Sequence, residues 1–515
     1  MSIIKIRMNN AQRVTFNTLI LYIRMFLTVG ISLYATRIVL NSLGEIDYGI
    51  YNIVGGVIGA LSFLNGALSV STQRYMSYNL GAGISKMQSK VFGNSFLLHL
   101  FLAILISLSL YLLEPFIFHS FLNINADRIP SAIIVYRFMS ASIFFSIINV
   151  PFYATIISHE NMLYISIVEI GRALLVLFFA FLLMEYNADR LIFYGFYMAL
   201  FIFIEFIAFA LYCFKKYKEC TIKSLVLYDK SLQKELVSFM GWNTFGGFTS
   251  VSKNQGISII LNLFFGTVIN AAYGIALQVS NQLGFFSQTM LKALNPQIMK
   301  SEGANNRERT IRLSILASKL GFFLISIFAI PVLFEIKSIL LLWLKNVPEN
   351  TEMFCTFVLI SIMMNQSTIG LQSAVQAVGN IKKYMIFVAG NKLLILPVAY
   401  ICLKIGLSPL SVMITYLFFE SISSVLRVFL LHIQANMSIK LFVKDVYLKI
   451  IIPLITILIS GFLLTQIKIS PYRFLYTIPI MMILYSVSIY LFGMKKYEKE
   501  ELFKIIKSVR KKINI

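Results

Sequence analysis

Nine lysines and arginines lie inside hydrophobic stretches of this sequence, together with three glutamates. The bases are Arg24, Arg37, Arg137, Arg172, Lys253, Lys292, Lys319, Lys392 and Arg427. The acids are Glu169, Glu205 and Glu420. A charge at the centre of a bilayer costs about 2.5–3.5 kcal/mol on insertion scales, so it is usually retained for function or well paired. Because three carboxylates cannot pair with nine bases, the sequence predicts an intramembrane cavity of positive potential that binds an anion.

The composition shows which elements must carry these charges. The chain has 515 residues, of which 58% are hydrophobic and only 13% are charged, and its mean hydropathy is +0.80. Apolar runs of 18 or more residues recur along it, each long enough to cross about 30 Å of hydrocarbon as a helix. We therefore expect an all-α polytopic membrane protein with no soluble domain and no cleavable signal.

Apolar runs and helix breakers predict fourteen transmembrane spans. They lie near 14–40, 47–72, 91–113, 131–157, 162–184, 191–214, 236–263, 268–294, 311–333, 353–378, 384–404, 409–431, 449–467 and 472–493. Of the 45 lysines and arginines, this topology puts 29 on one side, seven on the other and nine in the membrane. The basic side faces the cytoplasm by the positive-inside rule, so both termini are predicted to be cytoplasmic. Basic loops also explain the net charge of +23, and no nucleic-acid partner is expected.

The cysteines and histidines give no sign of metal or cofactor chemistry. The four cysteines show no C-x-x-C spacing and no histidine nearby, so we expect them to pack in the structure. They are Cys213, Cys220, Cys355 and Cys402. The four histidines are scattered and show no repeated spacing. We expect no metal, no cofactor and no catalytic residue.

The sequence contains an internal repeat. Leu40–Gly44 and Tyr48–Ile50 in the first two spans correspond to Leu261–Gly266 and Tyr273–Ile275 in the seventh and eighth. The offset stays between 221 and 225 residues, and it also relates Gln73 to Gln297. Six spans separate the copies, so the two halves are predicted to be parallel repeats. Transporters built from repeats typically bind substrate between the halves and rock them.

The motifs around the first copy of the repeat resemble a known family. The stretch 35–44 (ATRIVLNSLG), with 48–51 (YGIY) and 71–75 (STQRY), is similar to bacterial O-antigen and capsular polysaccharide flippases. These belong to the multidrug/oligosaccharidyl-lipid/polysaccharide (MOP) exporter superfamily. The resemblance extends over the chain in length, span count and repeat. It implies a V-shaped pair of six-helix bundles followed by two extra helices.

That resemblance implies a domain plan and a function. The plan is an N-terminal bundle at 1–214, a cytoplasmic linker at 215–235, a second bundle at 236–435, two extra helices at 436–494 and a basic tail at 495–515. The implied function is movement of an undecaprenyl-diphosphate-linked oligosaccharide, an O-antigen or capsule repeat unit, to the periplasmic leaflet of the bacterial inner membrane. The expected partners are this substrate, membrane lipids and other glycan-assembly proteins, and the protein is expected to be a monomer.

Residues at matching depth in the two halves are the predicted substrate contacts. Arg24 and Lys253 are expected to bind the diphosphate, because arginine binds phosphate oxygens bidentately and lysine binds them as a point charge. Lys319 and Lys392 are deep and show no acid nearby, so they are further candidates. Amides predicted to line a hydrated path for sugar are Asn17, Asn52, Asn65, Asn243, Asn254, Gln255, Gln278, Asn281 and Gln282. The alternative for each base is that it snorkels to a headgroup or bonds backbone carbonyls.

The remaining charges have simpler interpretations. Arg172 follows Glu169 by three residues, which predicts a self-paired helix face. Glu420 and Arg427 share a helix face and are expected to neutralise each other. Three bases near span ends are expected to snorkel to the interface, namely Arg37, Arg137 and Lys292. Glu205 is a lone acid and a candidate coupling site for a proton or cation.

Three other functions compete with the glycan flippase. A lipid II flippase would use the same phosphate chemistry. A drug exporter of the same fold would need acids for cationic drugs, and the apolar parts of spans 1, 2, 7 and 8 contain none. A glycan polymerase, ligase or acyltransferase would need a large exposed site or an intramembrane histidine, whereas the external loops are short.

Overall fold

The computed structural model describes residues 10–59, 61–118, 122, 124–466 and 472–500. Every long element among these residues is a helix, as the sequence predicts. The helices are α1 (Asn10–Gly59), α2 (Ser62–Ala82), α3 (Ser85–Phe116), α4 (Ile129–Ser158), α5 (Met162–Glu185), α6 (Arg190–Lys216), α7 (Ile222–Leu225), α8 (Lys230–Gly303), α9 (Arg307–Phe334), α10 (Ile336–Leu344), α11 (Thr351–Gln366), α12 (Ile369–Val378), α13 (Ile381–Lys404), α14 (Pro409–Ala435), α15 (Ile439–Gln466) and α16 (Phe474–Gly493). The predicted all-α polytopic class is confirmed.

Eleven helices among the described residues are long and apolar enough to cross a membrane, and the bent pair α11–α12 brings the number to twelve. The predicted number was fourteen. The difference arises because α1 and α8 are each counted once, although each consists of two helical stretches that meet at a kink. The kinked element α8 contains both 236–263 and 268–294, whereas α1 holds the first span and the start of the second, which continues in α2.

A single glycine interrupts each of these two long helices. Gly44 in α1 has φ 76° and ψ 173°, and Gly266 in α8 has φ 77° and ψ −168°. This region of backbone space is essentially restricted to glycine, because a Cβ would collide with the neighbouring peptide groups. Two spans therefore meet at each glycine without an intervening loop.

The chain divides into two compact units. One comprises Asn17–Gly247. Its central helix is α4, which packs against α2, α3 and α6, and its core includes Val54, Val135 and Tyr136. At one end, Arg128 donates to Asp47 (2.9 Å) and to Asp189 (3.0 Å), which ties α1 to the start of α6.

The other unit comprises Phe248–Ile515 and Met1–Phe16, as far as these are described. Its core includes Ile257, Tyr273, Phe354 and Val412 from four different helices. The helix α9 packs against α11 and α12 and also against α15 and α16. The two predicted extra helices therefore pack onto α9 within this unit.

The pair α11–α12 is a broken helix with a bend of 42°. Gly370, in the first turn of α12, packs closely against the backbone of α9. A Cβ added there would lie 2.0 Å from the carbonyl oxygen of Ser314. The backbone N–H of Gly370 donates to the hydroxyl of Ser318 at 3.1 Å. Side chains of neighbouring helices thus satisfy backbone groups that the break frees, as apolar surroundings require.

Candidate functional site

One buried carboxylate in the second unit holds two lysines. The Nζ of Lys253 donates to Oε1 of Glu420 at 2.9 Å, and the Nζ of Lys392 lies 3.0 Å from Oε1 and 2.9 Å from Oε2. Glu420 is 2% exposed and Lys253 is 7% exposed. The three residues come from α14, α8 and α13, so the cluster forms only when these helices pack together.

Neutral side chains fix the geometry of this cluster. The hydroxyl of Tyr416, one turn before Glu420, accepts from Lys253 at 3.0 Å, and the ammonium also lies 4.3 Å from the centre of the tyrosine ring. The amide of Asn365 donates to Oε2 of Glu420 at 3.1 Å. Oε1 therefore receives two hydrogen bonds and Oε2 receives one together with the ion-pair contact from Lys392, and a buried anion needs such partners.

A third base stands beside the cluster and caps the broken helix. The guanidinium of Arg427 donates to the carbonyl oxygen of Asn365 (3.0 Å), to the hydroxyl of Thr368 (3.1 Å) and to the hydroxyl of Tyr384 (3.0 Å). The C-terminal end of α11 is the negative end of the helix dipole, so a cation there is favourable. Asn365 contacts both Glu420 and Arg427, so it links the charged cluster to the bend between α11 and α12.

The charges of this cluster do not cancel. Lys253, Lys392 and Arg427 are three cations, and Glu420 is the one carboxylate bonded to any of them within the described part of the chain. The formal excess is two positive charges in an apolar bundle. Of the four predicted diphosphate contacts, Lys253 and Lys392 belong to this cluster, whereas Arg24 and Lys319 pair with acids elsewhere.

The deep charges of the first unit do cancel. Arg24 pairs with Glu169, and Arg172 pairs with Glu205 at 2.9 Å. The four residues come from α1, α5 and α6. Two cations and two anions give this group a formal net charge of zero.

The sequence count of three acids was too low, although the bases still outnumber their acid partners. At least six of the nine have a carboxylate partner among the described residues, because Glu114 pairs with Arg137 and Glu498 pairs with Lys319 in addition to the three acids counted from the sequence. Glu114 and Glu498 were missed because they lie at or beyond the span ends. Each of these acids meets its base only because their helices pack together, and the spacing in the sequence does not indicate either pair.

Three specific pairings also differ from the predictions. Arg172 pairs with Glu205 and not with Glu169, so the self-paired helix face was wrong. Glu420 binds the two lysines, and Arg427 uses neutral acceptors. The expectation that Lys319 and Lys392 have no acid nearby was also wrong. In each case the partner lies on another helix.

The predicted amides fall into buried and exposed groups. Three donate to neighbouring groups: Asn17 to the carbonyl oxygen of Glu160 (3.1 Å), Asn65 to the hydroxyl of Ser146 (3.0 Å) and Asn243 to the hydroxyl of Ser71 (3.1 Å). These bonds hold helices of the first unit together. The exposed amides are Asn52, Gln255, Gln278, Asn281 and Gln282, and Asn254 is half-buried.

No family model matches the sequence, and no curated protein matches it. Solved structures match its fold. A multidrug resistance MATE family transporter of the MOP superfamily, in an outward-facing conformation, has a TM-score of 0.69 at 14% identity, covering 84% of this chain and 97% of that chain. The MATE transporter ClbM in complex with Rb⁺ has a TM-score of 0.68 at 13% identity, with coverage of 85% and 97%.

A third solved structure differs in the polarity of its pocket. It is a MOP superfamily transporter from Pyrococcus furiosus Vc1 whose reversed binding-pocket polarity suggests a different function for that protein. Its TM-score is 0.69 at 14% identity, and the match covers 84% of this chain and 97% of that chain. The present chain therefore has the fold of MATE transporters of the MOP superfamily.

Proposed function

We propose that this protein is a membrane transporter that moves an undecaprenyl-diphosphate-linked oligosaccharide from the cytoplasmic to the periplasmic leaflet by alternating access. The observation that carries the proposal is the sharing of Glu420 by Lys253 and Lys392, with Arg427 beside them. Within apolar helices, an excess of two cations is expensive unless an anion compensates it. A diphosphate supplies that charge.

The hydrogen bonds around Glu420 indicate how a diphosphate would bind to the two lysines. Each lysine ammonium has three N–H donors, and the two share one carboxylate, so both retain capacity for further acceptors. A diphosphate offers several oxygens and more charge than a single carboxylate. The guanidinium of Arg427 is engaged with three oxygens of the protein and contributes its charge to the site.

The exposed amides support a sugar as the remainder of the substrate. Gln278, Asn281 and Gln282 lie within one turn of α8, and all three are exposed. Amides in a predicted span are costly against lipid tails, so we place them against water or a polar ligand. They offer both donors and acceptors, as sugar hydroxyls require.

A drug exporter is the second candidate, because solved structures with the same fold carry the MATE name. A cationic drug would meet the excess of positive charge at Lys253 and Lys392, which opposes its binding. A lipid II flippase would satisfy the same phosphate chemistry and would differ only in the glycan. We place both below the oligosaccharide flippase.

The test is complementation of a strain that lacks this gene, with surface glycan and lipid-linked intermediates as readouts. K253M and K392M each leave Glu420 with one ammonium, so both variants should fold and insert. We expect each to abolish surface glycan and to trap lipid-linked oligosaccharide on the cytoplasmic leaflet. K404M changes an exposed lysine at the end of α13 and serves as the matched control.

Two outcomes would contradict the proposal. Normal surface glycan with both K253M and K392M would exclude phosphate binding by the two lysines that share Glu420. Loss of all lipid-linked intermediates in the deletion strain would indicate an enzyme of glycan synthesis instead of a flippase.

A further inference from the structure

A second site of mixed charge lies at one end of the second unit, where α9 begins. A cavity of about 350 Å³ opens there, a volume near the lower end of small-ligand sites. The start of α9, the turn before α15 and the segment after α16 form its walls. Its polar and charged lining residues are Glu308, Arg312, Lys319, Asn436, Ser438, Asp445, Lys495, Tyr497 and Glu498.

Two ion pairs build one wall of this cavity and fix it in place. Lys319 is 1% exposed, and its Nζ donates to both oxygens of Glu498, at 2.8 and 2.6 Å. Lys495 pairs with Asp445, and its backbone N–H donates to Glu498 at 2.8 Å. A buried lysine with a paired carboxylate is strongly held, so the segment after α16 is fastened to α9 and α15.

After these pairs are counted, one charge of each sign remains on the lining. Glu308 and Arg312 are exposed, and neither forms an ion pair or a side-chain hydrogen bond with any described residue. They lie one turn apart on α9. The hydroxyl of Ser438 accepts from the backbone N–H of Leu441 and so keeps its own hydrogen free to donate.

The rest of the lining is apolar. Ile311, Ile315 and Leu316 lie on the cavity side of α9, and Leu441 faces them from α15. The predicted span of α9 begins at 311 and the last predicted span ends at 493, so we place the cavity at the level of the headgroups. Its charged mouth and apolar wall match a molecule with a zwitterionic head and hydrocarbon chains.

We propose that this cavity binds the headgroup of an aminophospholipid such as phosphatidylethanolamine. Arg312 and the hydroxyl of Ser438 receive the phosphate, and Glu308 receives the primary ammonium. The isoleucine side chains contact the glycerol backbone and the first methylenes. This site shares no residue with the cluster at Glu420 and stands independently of the transported substrate.

The experiment is a calorimetric titration of the full-length protein in detergent with short-chain phosphatidylethanolamine. We expect saturable binding, weakened at least tenfold in R312Q and in E308Q. Matched controls are K440Q and E352Q, which remove exposed charges of the same sign outside the cavity. Short-chain phosphatidylglycerol lacks the ammonium and should bind the wild type at least tenfold more weakly.

Each alternative result overturns the proposal in a different way. Equal binding of phosphatidylglycerol would show a simple anion site. Wild-type affinity in both R312Q and E308Q would place the lipid elsewhere on the protein. Equal binding of soluble phosphoethanolamine would show that the apolar wall contributes nothing and that the ligand is not a lipid.

Discussion

Gly44 and Gly266 hold the same backbone conformation at corresponding positions of the internal repeat. Their φ angles are 76° and 77°, and both ψ angles lie within 12° of 180°. Each joins the first two spans of its half without a loop. The internal repeat, which appears in the sequence as similar residues at a nearly constant offset, is therefore also a repeat of one rare backbone conformation.

We expect G44A and G266A each to lower the free energy of unfolding by about 1–3 kcal/mol, because the required conformation is essentially confined to glycine. Thermal unfolding in detergent measures the effect. Nothing lies within 4 Å of a Cβ added at either position, so the cost would be backbone strain alone. G49A and G274A provide helical controls with equally open space and should be neutral or stabilising.

We expect E420Q to destabilise the protein by about 3–5 kcal/mol, because it leaves Lys253 and Lys392 buried with no carboxylate. The midpoint of thermal unfolding should fall accordingly. Adding K392M to E420Q should recover part of the loss, since one uncompensated cation is then removed. E349Q changes an exposed acid and should stay within about 0.5 kcal/mol of wild type. An E420Q variant of unchanged stability would show that the lysines do not depend on this carboxylate.

We expect G370A to destabilise the broken helix by about 1–3 kcal/mol or more, because its methyl group would overlap the carbonyl oxygen of Ser314. Hydrogen exchange of 366–378, read by mass spectrometry, should increase more than exchange elsewhere. G390A adds a methyl group in open space within α13 and should not increase exchange. Equal exchange in G370A and wild type would contradict the tight approach of α9 and α12.

We expect acid to weaken the first unit through Asp189, which lies between α5 and α6 outside the predicted spans. Burial raises the pKa of Asp189, but hydrogen bonds from Ser131 and Ile192 and the guanidinium of Arg128 outweigh it and hold that pKa below its usual value. A lowered folded pKa stabilises the protein above the unfolded pKa, which is about 3.9. The stabilisation is lost as the pH falls below that value.

The measurement is the drop in unfolding midpoint between pH 7 and pH 3. We expect a smaller drop in D189N than in wild type, because the variant has no carboxylate to protonate. D127N, at a nearby exposed position, should retain the wild-type drop. Equal drops in D189N and wild type would assign the acid sensitivity to other groups.

Much of the fold could be predicted from the sequence, because apolar length and helix breakers are local properties. The twelve candidates together with α2 overlap all fourteen predicted spans, and the breaks at Gly44 and Gly266 coincide with the predicted span boundaries. The absence of a loop at each glycine was not predicted, since a glycine between two apolar runs indicates a longer turn as readily as a kink at a single residue.

The partners of the deep charges could not be predicted, because they depend on which helices touch. Lys253 is buried, and its acid lies on α14. Lys392 was left without a partner in the sequence for the same reason. A signal was present in Glu420, the one deep acid of the second half, which any three-dimensional packing had to bring to a base.

The long-range ion pairs have a consequence for biosynthesis. In three of them the base precedes its acid: Arg24 by 145 residues, Lys253 by 167 and Lys319 by 179. At about 5–20 residues per second, the ribosome takes on the order of 10–30 s to make such an interval. Each base therefore reaches the insertion machinery before its counter-charge has been translated. Until the acid is made, each base is an uncompensated charge in an apolar helix, at a cost of about 2.5–3.5 kcal/mol on insertion scales.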